Sequence, residues 1–177
     1  ADIGTETDPV TVPIGTVGKY FAGTLDGAEH TVRVDLSENA AVGLVGYLAG
    51  GTVKNVTVRG SVERQTASSA SYAGGIVGLI TAAGGKVINC KNYATVTAPS
   101  NCYAGGIVGT SNGTATVEDC LNEGTVSAGR NVGGIVGGTG GKITITRAVN
   151  RGTVTGSGDY VGGIIGYINS TGNVLTD

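Results

Sequence analysis

The sequence predicts an all-β protein: a right-handed, three-sided parallel β-helix of about six coils. Three observations predict it. The stretch Tyr72-Ala73-Gly74-Gly75-Ile76-Val77-Gly78 returns as Tyr103-Ala104-Gly105-Gly106-Ile107-Val108-Gly109, as Val132-Gly133-Gly134-Ile135-Val136-Gly137 and as Tyr160-Val161-Gly162-Gly163-Ile164-Ile165-Gly166, with a less complete first copy, Ala41-Val42-Gly43-Leu44-Val45-Gly46. Aligned on the glycine before the Ile-Val or Leu-Val pair, the copies lie 32, 31, 28 and 29 residues apart. A period of this size marks stacked units whose length changes fall in loops. The apolar segments inside each repeat are short and β-branched, which suits strands and is too short for ordinary helices. Finally, the chain carries 34 glycines, one Phe, no Trp and no Met. Its core must come from Val, Ile, Leu and Ala, as a narrow interior requires.

Residues 1–11 are polar, with Pro9 near their end, and read as a lead-in or linker. Residues 12–177 read as one β-helix domain. Residues 12–40 form an irregular opening coil. Asp26-Gly27 is a turn signal within it, followed by Val32, Val34 and Leu36 alternating with Arg33 and Asp35 as a half-buried strand. The repeats are 41–71, 72–102, 103–131, 132–159 and an incomplete 160–177.

Each full repeat carries three apolar segments. In 72–102 they are Gly75-Ile76-Val77-Gly78, Lys86-Val87-Ile88-Asn89-Cys90 and Thr95-Val96-Thr97, with Gly84-Gly85 at one corner and Asn92 and Ala94 at the next. Stacking places like on like at ~4.8 Å. Val53, Val87, Val117 and Ile145 should form one inward ladder, and Val62, Val96, Val126 and Val154 another. Asn92, Asn122 and Asn150 should form a buried amide ladder at a corner open to positive φ. The first repeat has Val58 at that position. The last repeat reaches Asn173-Val174-Leu175 and has no third segment, so the natural protein is expected to continue past Asp177 or to have this end covered.

At these residues the chain resembles a known family. The pattern G-[IL]-[VI]-G followed by V-x-N-C-x-N-x-G-x-V is similar to the GLUG-motif repeats of bacterial secreted and cell-surface proteins. Pro13-Ile14-Gly15-Thr16, Phe21-Ala22-Gly23-Thr24-Leu25-Asp26-Gly27 and His30-Thr31-Val32 resemble the segment that often precedes them. The resemblance spans about residues 12–175. It implies a non-catalytic adhesive or stalk module of an exported, adhesin-like protein, extracellular or at the cell surface, beside further domains of the same polypeptide. A host glycan or protein would be its partner. The chain departs from the pattern at Val58, Asn131 and Arg147-Ala148, where the family favours Asn, Tyr and Asn-Cys.

Charged residues make up 14 % and the net charge is −2. Nucleic acid binding would need a basic stripe, and no apolar run is long enough for membrane insertion. The three cysteines Cys90, Cys102 and Cys120 make no disulfide framework and no Cys-x-x-Cys pair. Cys90 and Cys120 should be buried thiols on adjacent coils, with Cys102 on the loop before Tyr103. With His30 as the one histidine, no metal or cofactor site is expected. The glycine clusters follow the structural period, which marks turns rather than a phosphate cradle. Gly156-Ser157-Gly158-Asp159 hints at a calcium repeat but occurs once.

A β-helical polysaccharide lyase or hydrolase needs clustered carboxylates. Aligning the repeats sets Asp119 beside Arg147 and Glu123 beside Arg151, which are cross-strand ion pairs, with no second carboxylate stacked on either. No catalytic residue is assigned. Two surfaces remain. Tyr72, Tyr103 and Tyr160 share one repeat position, interrupted by Asn131; they would stack for stability or offer sugars an aromatic platform. Thr95, Thr97, Thr125, Ser127, Thr153 and Thr155 flank the inward valines of the third segment. They should form two outward hydroxyl columns, a candidate docking face similar to Thr-x-Thr ice-binding solenoids. Ser61 and Glu63 break that array in the first repeat.

Overall fold

A computed structural model describes residues 2–66 and 71–177. The chain is an all-β parallel solenoid, with no helix among the described residues. Every strand pair is parallel, and each strand pairs with its counterpart one repeat away. The side chains that repeat in sequence therefore stack in space. Val53 pairs with Val87, Val87 with Val117, and Val117 with Ile145. Val62 pairs with Val96, Val96 with Val126, and Val126 with Val154. All but Val154 are buried, and Val154 packs against the core from its part-exposed end.

Three sheets enclose the core, partitioned differently from the expectation. The glycine-rich stretch does not form one side. Tyr72–Gly74 belongs to a four-stranded sheet and Val77–Ile80 to a five-stranded one. The second and third apolar segments instead share the twelve-stranded sheet. In the first repeat they form one continuous strand, Thr52–Arg64. The stack has about five turns rather than six, because the opening coil reaches the five-stranded sheet only through isolated bridges at Ile14 and Phe21.

The opening strand, Thr24–Glu38, pairs with Thr52–Arg64 along its length. Asp26-Gly27 does not reverse the chain. The register slips between Asp26 and His30, and the positive φ falls on Ala28 and Glu29. Residues 2–11, read from sequence as a lead-in or linker, lie against the outer edge of this strand. Ile3 bridges Val32, and Val10 bridges Val34. The Asp2 carboxylate accepts the Thr31 N–H at 2.8 Å, and Arg33 donates to Glu6 at 2.6 Å. An exposed edge strand leaves backbone groups unpaired, and this segment supplies partners for several of them.

The asparagine corner forms the expected amide ladder. Asn92 Nδ2 donates to Asn122 Oδ1 at 2.8 Å, and Asn122 Nδ2 to Asn150 Oδ1 at 2.8 Å. Each Nδ2 also donates to the carbonyl two residues on, at Ala94, Gly124 and Gly152. These asparagines do not take positive φ. Left-handed backbone stands instead at Asn55, Asn89, Asp119 and Arg147, three residues before the ladder positions. Ladder amides must point inward from an extended backbone, and the sharp bend falls at the preceding exposed corner.

Val58 pairs with Asn92 at the start of the ladder. It is tolerated because Asn92 Oδ1 already accepts the Ala94 N–H at 3.1 Å. The ladder runs one way, each amide donating to the next turn, so it begins on a satisfied acceptor and ends at Asn150, which is partly exposed.

Candidate functional site: a tyrosine row at one corner

The tyrosine row lies where the four-stranded sheet meets the five-stranded one. Tyr72 pairs with Tyr103. Val132 pairs with Ala104 and with Val161, so Asn131 stands in the row between Tyr103 and Tyr160. The Tyr72 and Tyr103 rings are 5.8 Å apart, tilted by 46°. Beyond them Asn131 is too short to continue the contact.

A residue outside the expected row repairs it. Tyr167, on the neighbouring side of the last turn, sets its ring 6.3 Å from Tyr103 and 4.8 Å from Tyr160. The row is therefore Tyr72, Tyr103, Tyr167 and Tyr160, continuous where the sequence shows a gap. The register pairs Tyr167 with Gly138 of the turn before. A Cβ on Gly138 would lie 2.5 Å from Cδ1 of Tyr103, so glycine there makes room for the Tyr103 ring. Tyr20 and Tyr47 stack separately, 5.3 Å apart.

Polar groups border the rings. Asn101, Tyr103, Arg130, Asn131, Tyr160 and Tyr167 line an open depression of about 270 Å³. Beside it, Tyr72, Tyr103, Thr110, Asn112, Thr139 and Tyr167 border one of about 190 Å³. Burial raises the pKa of the Tyr72 and Tyr103 hydroxyls, reinforced by the neighbouring tyrosine in each case. Arg130 lies over the Tyr160 ring at 5.5 Å and faces Asp159 at 3.6 Å.

The hydroxyl face takes its expected form. Val96 is buried between exposed Thr95 and Thr97. Ser127 pairs with Thr97 and with Thr155, and Thr125 and Thr153 are exposed. The columns continue into charged positions, one through Ser61 to Asp35 and the other to Glu63, which pairs with Thr97.

The expected ion pairs are present, with one addition. Arg147 Nε donates to Asp119 Oδ1 at 2.6 Å, and its Nη2 reaches Glu118 at 2.5 Å, so a second carboxylate does join this pair. Alternation along Ala115–Glu118 turns Glu118 outward beside Asp119. Arg147 holds the Asp119 carboxyl below its usual range. Arg151 meets Glu123 at 3.4 Å. His30 faces Asp2 at 3.7 Å. Cys90, Cys102 and Cys120 are all free and buried. Among the described residues no cluster of His, Cys, Asp and Glu could hold a metal ion. No helix among them is long and apolar enough to cross a membrane.

Fold and surface define a parallel β-solenoid repeat protein with a partly exposed aromatic row. No family model matches the chain, and no curated protein matches it. Among solved structures the chain is similar to a proposed immunoglobulin A1 protease from Bacteroides ovatus, at 24 % identity and a TM-score of 0.57. The match covers 93 % of this chain and 58 % of that one, and at this identity it speaks to the fold alone.

Proposed function

We propose that the chain is a non-catalytic repeat module of an exported bacterial protein, acting as an adhesive or stalk domain at the cell surface. The observation that carries this reading is the continuous row of Tyr72, Tyr103, Tyr167 and Tyr160 along one corner of a rigid stack. Partly exposed tyrosines offer a flat apolar face and a polar tip, which suits contact with partners that are themselves amphipathic. The resemblance to GLUG-motif repeats supports the setting.

Displaying residues 1–177 on a non-adherent bacterium tests this reading. Attachment to glycan-coated or mucin-coated surfaces should rise above that of undisplayed cells. Attachment at the undisplayed level refutes an adhesive role. Depolymerisation of a uronate polymer by the purified chain would establish the lyase alternative instead.

The in-register hydroxyl columns support a second reading, an ice-binding face. Asp35 and Glu63 stand in those same columns and oppose a regular lattice match. Thermal hysteresis abolished by Thr125→Leu plus Thr153→Leu would establish it, and its absence in the unaltered chain removes it.

A further inference from the structure

We propose that the depression at Asn131 is a binding subsite for one ring of a neutral glycan. The proposal rests on the adhesive reading above and names the ligand class for that surface.

The subsite exists because the repeat is broken there. Tyr72, Tyr103 and Tyr160 hold one position of the row, and Asn131 holds it in the turn between Tyr103 and Tyr160. Tyr167 closes the far wall by leaning on both rings. A hollow with tyrosine on its sides and an amide at its base results. At about 270 Å³ it falls just below the ~300–1,000 Å³ of pockets for drug-sized ligands, so it accommodates a single ring rather than a length of chain.

Asn131 is the second, independent observation. It is only 8 % exposed. Its backbone is engaged, its N–H donating to Asp159 and its carbonyl accepting from Ala104. Its side-chain amide makes no hydrogen bond within the described residues, although it lines the hollow. The ladder asparagines show the contrast, since Asn92 and Asn122 spend their amides on the protein itself. A nearly buried polar group normally has a partner. Here the two N–H donors and the carbonyl acceptor of the Asn131 amide belong to the lining of the hollow, open to a ligand.

Charge and polarity choose the ligand class. Arg130 is the one charged side chain in the lining, and Asp159, 3.6 Å from its Nη2, offsets its charge toward an acidic sugar. More of its surface is polar than apolar, unlike the aromatic grooves that hold polyproline helices. A neutral pyranose presents C–H faces for the rings and hydroxyls that both donate and accept, which an amide can match.

The test uses the whole chain, with calorimetry and saturation-transfer NMR. The probes are cellotetraose, mannotetraose and chitotetraose, with tetragalacturonate and decaproline as competitors of other classes. At least one neutral tetrasaccharide should bind. Its affinity should fall about tenfold or more in Asn131→Gly, which keeps the positive φ and removes the amide. Asn131→Tyr, which fills the hollow, should give the same loss. Tyr160 holds the equivalent position at φ 64°, so the backbone there accepts tyrosine. Absence of neutral binding, stronger binding of tetragalacturonate or decaproline, or full affinity in either variant overturns the proposal. Displayed cells separate the two readings. If the variants attach as well as the parent, the subsite is wrong and adhesion stands. If the parent does not attach, the adhesive reading fails alone.

Discussion

A Cβ placed on Gly106 would lie 2.3 Å from Cγ of Asn122. The same relation joins Gly75 to Asn92 at 2.4 Å and Gly134 to Asn150 at 2.3 Å. The second glycine of each Gly-Gly pair thus packs directly on a ladder amide. The first repeat lacks both partners. Val42 pairs with Ala73 and Val45 with Val77, so Gly43 and Leu44 span what Gly74, Gly75 and Ile76 span one turn later. Gly43 is therefore the counterpart of Gly74, not of Gly75 as the sequence alignment has it. The missing glycine coincides with Val58 in place of asparagine. Gly106→Ala should destabilise by about 1–3 kcal/mol in urea unfolding, toward the upper end because the Gly134 carbonyl also lies 2.3 Å from the added carbon. Gly163→Ala meets nothing within 4 Å and should be neutral or gain up to ~1 kcal/mol.

Asn122→Ala should cost about 2–3 kcal/mol. It removes the bonds to Gly124 and Asn150 and leaves one Asn92 N–H without its acceptor in a buried site. Urea unfolding measures it, and the loss should exceed that of Asn150→Ala, whose amide is partly exposed.

Val96 is fully buried between its counterparts Val62 and Val126. Val96→Asp places a carboxyl where no partner exists and should cost several kcal/mol at neutral pH. The loss should shrink as the pH falls, because the protonated acid is cheaper to bury. A pH-independent loss would point to shape rather than charge.

Cys90 and Cys120 occupy one inward column, and Sγ of Cys120 donates to the Val87 carbonyl at 3.6 Å. The paired Cys90 thiol, with burial, pushes the Cys120 thiol well above its usual pKa, and the same pairing lowers that of Cys90. All three thiols are buried, out of a reagent's reach in the native fold. A thiol-specific reagent should titrate no group in the native state and all three under denaturing, non-reducing conditions. Fewer than three in denaturant would mean that a disulfide forms.

Asp26 is held at a pKa of about 2, below the ordinary 3.8, by the Asn55 amide first, then by the Ala28 N–H and Lys54. Arg147 lowers Asp119 likewise. A depressed carboxyl favours the folded state above its unfolded pKa, and the contribution disappears as pH falls through the folded value. Stability should therefore be level above about pH 4 and decline toward pH 2. Asp26→Asn should reduce that slope; an unchanged slope would exclude Asp26 as its source.

What the sequence determined by itself was whatever stacks like on like. Val87 over Val53, Asn122 over Asn92, Tyr103 over Tyr72 and Arg147 beside Asp119 all follow from the repeat, because a parallel solenoid brings equivalent positions together once per turn. The outward Thr95 and Thr97 follow from alternation alone. What only the tertiary structure decided were contacts between unlike positions. Tyr167 reaches Tyr103 and Tyr160 from a different side of the coil, across an angle that no periodic pattern encodes. Residues 2–11 pair with the opening strand because its edge needs hydrogen bonds, and those residues carry only Ile3 and Val10 as apolar signal. The left-handed bends fall at Asn55, Asn89, Asp119 and Arg147, since the coil must turn at an exposed corner while the ladder amides stay extended and inward. The hollow at Asn131 combines both kinds of information. Its gap is a departure visible in the repeat, and its far wall is built by the fold.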